Sequence, residues 1–478
     1  MNKVTKTIIR YEWASFIRNK FQLLLLVIIF LFAMYAIYYG TSVINTQLKT
    51  ITEVQKIEAD EFHQYQVSFD EELNSVDAKR KKDIASNPSY AWFRHGYHTV
   101  LPPHKYAALA IGQRDLHPYY HRLTGMSLYY QLFENEISNP VKLYVGNFDL
   151  SFVIIYLVPL LIIAFTFGLY SIEEESGVLA LLRIQSISIR KIMLVRLMFY
   201  FMLITGSALL ISLIGLLVSG NLFADENLLA ALGWLAGVIL YSAFWFSLMF
   251  LIISFLKNSA FNAICAAGCW LLFLLVIPAV LNVWMVAKFP IDTTHLAELT
   301  RRTGLENEND EKEQVEVLSE FLEYNPQYKA SDSLFHNNKY AKVYAAFTTL
   351  KDNHSKKDVD AYNRQIEKRN QWVKQFLWIN PAVNMQDTFA LILKTDLNTF
   401  LSYQSALSKF HKNINTFYFD RLFWDKPITQ DDYSKRPVFK IENSNERWNQ
   451  VLYSFLEIIF ISSLFGILGF MKMKKTTH

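Results

Sequence analysis

The chain has 478 residues, room for several folding units, and a net charge of only +4. Lys and Arg are interspersed with Asp and Glu along its polar stretches, which excludes a nucleic-acid partner. Mean hydropathy is +0.14 and 19% of residues are charged, values of a soluble protein, yet long charge-free apolar blocks alternate with polar ones, the arrangement of a membrane protein with sizeable aqueous parts.

Residues 1–20 are basic and amphipathic. Ile8, Ile9, Trp13, Phe16 and Ile17 suit a face at the membrane interface, with Lys6, Arg10 and Arg18 toward lipid headgroups; simple anchoring charge before a span is the plainer alternative. An apolar run of about 22 residues follows without a small-residue cleavage site, which predicts an uncleaved anchor. A hydrocarbon core of ~30 Å needs about 20 apolar residues in a helix. Six blocks qualify: 21–43, 151–171, 197–219, 228–256, 260–287 and 450–471. Lys257-Asn258-Ser259 alone separates the fourth from the fifth and predicts a tight helical hairpin.

Orientation follows from the basic residues of the short flanks. Lys3, Lys6, Arg10, Arg18 and Lys20 precede the first span; Arg183, Arg190, Lys191 and Arg196 lie between the second and third; Lys257 marks the hairpin; Lys472, Lys474 and Lys475 follow the last, in the tail 472–478. All face one side if both termini are cytoplasmic. The connection 220–227 carries Asp225 and Glu226 and no base. The polar blocks 44–150 and 288–449 are then extracytoplasmic. The expected fold class is an all-α membrane protein with six transmembrane helices and a mostly helical extracytoplasmic domain built from two inserts.

In the first insert a helix continues the first span from Val43 to about Leu73, followed by a turn-rich, aromatic stretch. In the second, helices are predicted over 293–323, 331–350, 358–378 and 384–418, with breaks at Asn325-Pro326 and Asn380-Pro381. His95, His98, His104, His117 and His121 cluster in the first insert. Imidazole is a common metal ligand, which makes His95, His98, His117 and His121 weak metal candidates. Surface or hydrogen-bonded histidine is the plainer reading, since no Cys or Met series accompanies them. Pro118 predicts a helix start after His117, so the spacing of four to His121 does not ensure one shared face. Cys265 and Cys269 share one apolar block and read as small packing residues; a metal or redox site there would need more ligands.

No nucleotide-binding loop, GxGxxG, HExxH or GxSxG occurs, so no catalytic residue and no cofactor is assigned to this chain. Among intramembrane polar residues, Glu457 stands out: an ionised carboxylate at span depth costs about 2.5–3.5 kcal/mol on insertion scales. It is either a pathway residue or a structural hydrogen-bond partner, with Asn262, Asn282 or Ser254 as candidates. The cytoplasmic segment 172–196 places Glu173, Glu174 and Glu175 early and Arg183, Arg190 and Lys191 late, complementing a helix dipole, and its length suits docking into a groove on a soluble partner; charge that only sets topology is the alternative.

These elements resemble the permeases of ABC-2-type transporters. The basic segment ending Arg18-Asn19-Lys20 is similar to their elbow helix. Glu173, Gly177 and Leu179, in the run Glu173–Arg183, occupy an E-x-x-x-G-x-L coupling pattern, followed by Ser188-Ile189-Arg190-Lys191 before span three. The large first insert, Leu101-Pro102-Pro103, the run Ala108–Leu116 and Asn380-Pro381 resemble the subfamily related to gliding-motility and nitrous-oxide-reductase-maturation permeases, which carry a domain of unknown function as outer insert. The resemblance implies a permease subunit in a bacterial plasma membrane, paired with a second permease, itself or a sister, and with ABC ATPase subunits that hold ATP and magnesium. It favours export, and an extracytoplasmic partner protein is a further expectation. Two other classes compete. One is a membrane-anchored receptor or scaffold with an extracytoplasmic binding domain, which leaves 173–191 without a role; the other is an ion-driven secondary carrier, for which no internal repeat is evident.

Overall fold

In a computed structural model that describes residues 3–70, 75–133, 147–178, 188–220, 225–291, 311–329, 339–441 and 447–476, six helices are long and apolar enough to cross a membrane, and helix dominates throughout. Helix α1 (Lys3–Arg18) ends at Asn19, whose side chain caps α2 (Lys20–Val67) by accepting from Gln22 N at 3.3 Å. At 1.5 Å per residue the 48 residues of α2 extend about 72 Å, far beyond a ~30 Å hydrocarbon core. The span therefore runs on without a break, as far as Val67. Next come α3 (Val76–Ser86), α4 (Pro88–Arg94), β1 (Tyr97–Val100), β2 (Tyr120–Leu123) and α5 (Leu128–Phe133). The antiparallel pair β1–β2 is the only sheet among the described residues and was not expected. Pro118 begins no helix: Leu101 N donates to Tyr119 O at 2.8 Å, extending the strand pairing up to the residue after it.

The remaining spans are α6 (Leu150–Glu175), α7 (Ile189–Ser219), α8 (Asp225–Ile253) and α9 (Ser259–Lys288). Helix α7 begins at Ile189 rather than 197. Helix α8 stops at Ile253 rather than 256, because Leu256 adopts φ 53° to form the hairpin turn. Asn258 then caps α9, accepting from Phe261 N at 2.9 Å. Both α6 and α9 contain a proline preceded by a π-helical stretch, Val153–Leu157 and Leu272–Val276. Proline has no N–H, so nearby carbonyls lose their helical donor. Tyr241 hydroxyl donates to Ile155 O (2.9 Å), Trp270 Nε1 to Tyr156 O (3.0 Å) and Asn380 Nδ2 to Phe273 O (2.7 Å). Carbonyls freed in an apolar bundle thus find partners on neighbouring elements.

The second insert comprises α10 (Glu311–Tyr324), α11 (Lys339–Lys374), α12 (Pro381–Ile392), α13 (Leu397–Leu422) and α14 (Gln430–Ser434), after which α15 (Arg447–Thr476) is the sixth span-length helix. Of the predicted helix 293–323, the part 293–310 lies outside the described residues. Of the helix predicted over 331–350, the part 331–338 lies outside the described residues; the rest joins the helix predicted over 358–378 as one, α11, which ends at Lys374, since no Gly or Pro interrupts 351–357. The helix predicted over 384–418 is two: Lys394 turns to φ 56° and Asp396 caps α13, accepting from Asn398 N at 3.0 Å. Both asparagine–proline breaks are present, Asn380 capping α12 through Ala382 N at 3.1 Å.

Two large apolar cores result. One joins both inserts, burying Phe62, Trp92 and Tyr97 with Phe321, Tyr403 and Tyr418. The other fills the bundle, and it includes α12: Phe389 stacks on Trp234 at 4.1 Å, in space left by Gly237, where a Cβ would meet Phe389 Cε1 at 2.7 Å. The second insert is therefore not confined to a separate cap. One of its helices is wedged against α8 and α15.

Candidate coupling site

At the end of the bundle that carries both termini, three polar contacts converge on the short helical turn 171–175. Arg196, on the first turns of α7, lies between two carboxylates: its Nε is 2.6 Å from Glu12 Oε1 on α1, and its Nη2 bonds Glu173. Its Nη1 donates to Leu169 O at 3.0 Å, and all three charged groups are largely shielded from solvent. Burial pushes the Glu12 carboxyl above the usual carboxylate range, the guanidinium opposing and Glu173 reinforcing that shift. Glu174 accepts from the Tyr170 hydroxyl at 3.4 Å. Glu175 accepts from Ser259 N (2.8 Å) and Oγ (2.9 Å) at the start of α9. The triple glutamate thus ties α6 to α1 and α7 on one side and to the α8–α9 hairpin on the other.

The turn ends at Gly177, whose φ of 76° favours glycine although open space surrounds it. Ile172, Glu174, Ser176 and Val178 remain exposed, forming a ledge. Arg190 and Lys191 lie on the first turn of α7, Arg190 half-buried and Lys191 exposed; Leu179 and Arg183 fall outside the described residues. On α1, Arg10 and Arg18 are exposed and Trp13 packs edge-on to Phe199 at 6.3 Å. Phe16, expected at the lipid face, turns inward against Phe165, 6.2 Å away. Glu12 and Arg196 were not singled out from sequence for this role. A lone acid among apolar positions at helical spacing was the available signal.

The intramembrane residues separate. Glu457 on α15 accepts from Asn384 Nδ2 on α12 at 2.7 Å, not from Asn262, Asn282 or Ser254. Asn262 donates to Phe167 O (3.1 Å), Ser254 to Leu251 O (2.6 Å), and Asn282 is exposed on α9. Glu457→Gln keeps an acceptor for Asn384, so full folding and activity are expected. Glu457→Leu orphans a fully buried amide at about 1–3 kcal/mol, read as a lower unfolding temperature. Equal loss in both variants would instead make the ionised carboxylate the working group.

Among the described residues no group of three or more His, Cys, Asp or Glu could hold a metal. His95 stacks on Tyr65 at 4.0 Å with Nδ1 3.3 Å from the Tyr418 hydroxyl, His98 approaches Glu58, His117 stacks on Phe400 at 3.8 Å and His121 faces Tyr403. Each is embedded in a different aromatic or polar setting. Burial depresses His95 to about 3. The fold holds it neutral while the unfolded chain takes up a proton below about 6.5, so its contribution is present above that pH and lost on acidification. Between pH 7.5 and 5 about 2 kcal/mol should be lost, and His95→Gln should remove that share of the pH dependence in thermal melts.

A family model described as a domain of unknown function (DUF3526) matches residues 294–442, the region of α10 to α14. No curated protein matches, and no solved structure matches.

Proposed function

We propose that this chain is the permease subunit of an ABC transporter, with its termini and the 171–178 ledge in the cytoplasm and with ATP and magnesium bound on separate ATPase subunits. The carrying observation is the triple-glutamate turn, clamped through Arg196 to α1 and α7 and through Ser259 to α8–α9. A soluble partner bearing on Ile172, Glu174 and Val178 would move four bundle elements at once. A ligand shifts a conformational equilibrium only through such differential contacts. The lack of any phosphate-binding loop in the sequence agrees with an engine on another chain. The domain built from both inserts is extracytoplasmic in this reading, and a second copy or a sister permease completes the pathway.

The test is purification of the tagged chain from its native membrane in mild detergent. An ATPase subunit should accompany it, and replacing that subunit's phosphate-loop lysine should abolish transport. Protease added to intact cells should cut within the inserts. A chain that purifies intact without any nucleotide-hydrolysing partner, or inserts shielded in the cytosol, defeats the proposal. A receptor role is favoured by a cleft of about 390 Å³ bounded by Tyr129, Arg364 and Lys409 on α5, α11 and α13. It predicts activity independent of any ATPase.

A further inference from the structure

Away from the termini, where α7 ends at Ser219, a groove of about 530 Å³ runs along α2. Its α2 wall is one helical stripe graded in chemistry: Met34, then Tyr38, Thr41, Asn45 and finally Lys49, with Val218 of α7 beside the apolar end. Residues four and three or four apart share a helix face, so these side chains line up. Tyr35 and Tyr38 are exposed where the apolar run of α2 gives way to polar residues, the position of an interfacial aromatic belt. Lys49 pairs with Glu53 at 3.9 Å between two solvated side chains, a weak contact that leaves its ammonium open to solvent.

We propose that this groove binds one anionic phospholipid. The upper acyl chain lies against Met34 and Val218, an ester carbonyl accepts from the exposed Tyr38 hydroxyl, and the phosphate meets Asn45 and Lys49. The order apolar, hydroxyl, amide, cation matches the order of groups along such a lipid, and long cationic side chains reach back toward a headgroup layer. The site does not depend on the transport reading, because it needs only a membrane around the bundle.

The full chain, purified in detergent and stripped of lipid, is titrated with phosphatidylglycerol or phosphatidylcholine in native mass spectrometry. Wild type should hold one phosphatidylglycerol at least about fivefold more tightly than Lys49→Glu, with phosphatidylcholine equal in the two. Lys56→Glu, farther along α2, should change neither. Tyr38→Phe should weaken both lipids alike. Melting temperatures without lipid serve as the folding control, and Lys49→Glu should match wild type. Equal phosphatidylglycerol binding by wild type and Lys49→Glu overturns the site. So does efficient cross-linking of an Asn45→Cys chain to a second copy through that position, which would put protein where the lipid is assigned.

Discussion

Arg196→Met is expected to be the most damaging single change at the terminal end of the bundle. Methionine keeps much of the volume but leaves Glu12 and Glu173 facing each other without a cation, Glu12 almost fully enclosed. Breaking a buried ion network by removing one member typically destabilises by about 3–5 kcal/mol. Thermal melts of the purified chain should show a loss of that order. Arg196→Lys should fall between, because one ammonium cannot address two carboxylates and the Leu169 carbonyl as a planar guanidinium does. The pH dependence gives a second check. Without Arg196, the carboxyl of Glu12 is raised further by burial and by Glu173. A raised carboxyl favours the fold below its unfolded value and loses that benefit as pH rises through the folded one. The deficit of Arg196→Met relative to wild type should therefore shrink on acidification from pH 7.5 to 5.5. Adding Glu12→Gln should restore part of the stability at pH 7.5. A constant deficit across pH, or no gain from the double change, would mean that the guanidinium acts by packing alone.

Much of the bundle was legible because span-length apolar blocks have few other fates, and each expected block falls on one of the six long helices. Boundaries were less so. Where chemistry marks them, as at Asn325-Pro326 and Asn380-Pro381, they are where the residues place them. Where a break rests on a positive φ at Lys394, or continuity on the mere absence of Gly and Pro between 351 and 357, tertiary packing decides. The strands β1 and β2 escaped notice because each has four residues and they lie about twenty apart. In the cluster around Arg196 the triple glutamate was visible, but its partners come from α1, α7 and α9, and nothing in linear spacing joins Glu12 to Arg196. The wedge of α12 between spans was equally hidden: Asn384 and Phe389 look like ordinary residues of an amphipathic helix, and only Gly237 and Glu457, far away in sequence, show what they meet.

Gly40→Ala should separate the strap Ala107–Ile111 from the bundle. The strap is buried throughout and joins three elements: it packs on α2 and α7, and Ile111 N donates to Asp149 Oδ2, at 2.9 Å, just where Asp149 caps α6 through Phe152 N. Arg114, also buried, fastens its far end, donating to Gln47 Oε1 (2.9 Å) on α2 and Leu101 O (2.7 Å). A Cβ on Gly40 would sit 2.0 Å from the Ala108 carbonyl oxygen, a backbone atom that cannot rotate away. Overpacking commonly destabilises by about 1–3 kcal/mol when side chains can adjust, and this clash belongs at or above the upper end. The contrast is Gly215→Ala on α7, whose Cβ would meet Leu109 Cδ2 at 2.6 Å, the tip of a flexible side chain. Leu109→Ala should rescue Gly215→Ala, whereas Ala108→Gly should not rescue Gly40→Ala, since it removes no atom from the clash. Thermal melts of the four variants, with limited proteolysis to detect release of the strap, decide the matter. A Gly40→Ala chain as stable and as protease-resistant as wild type would mean that the strap does not lie against α2 at this contact.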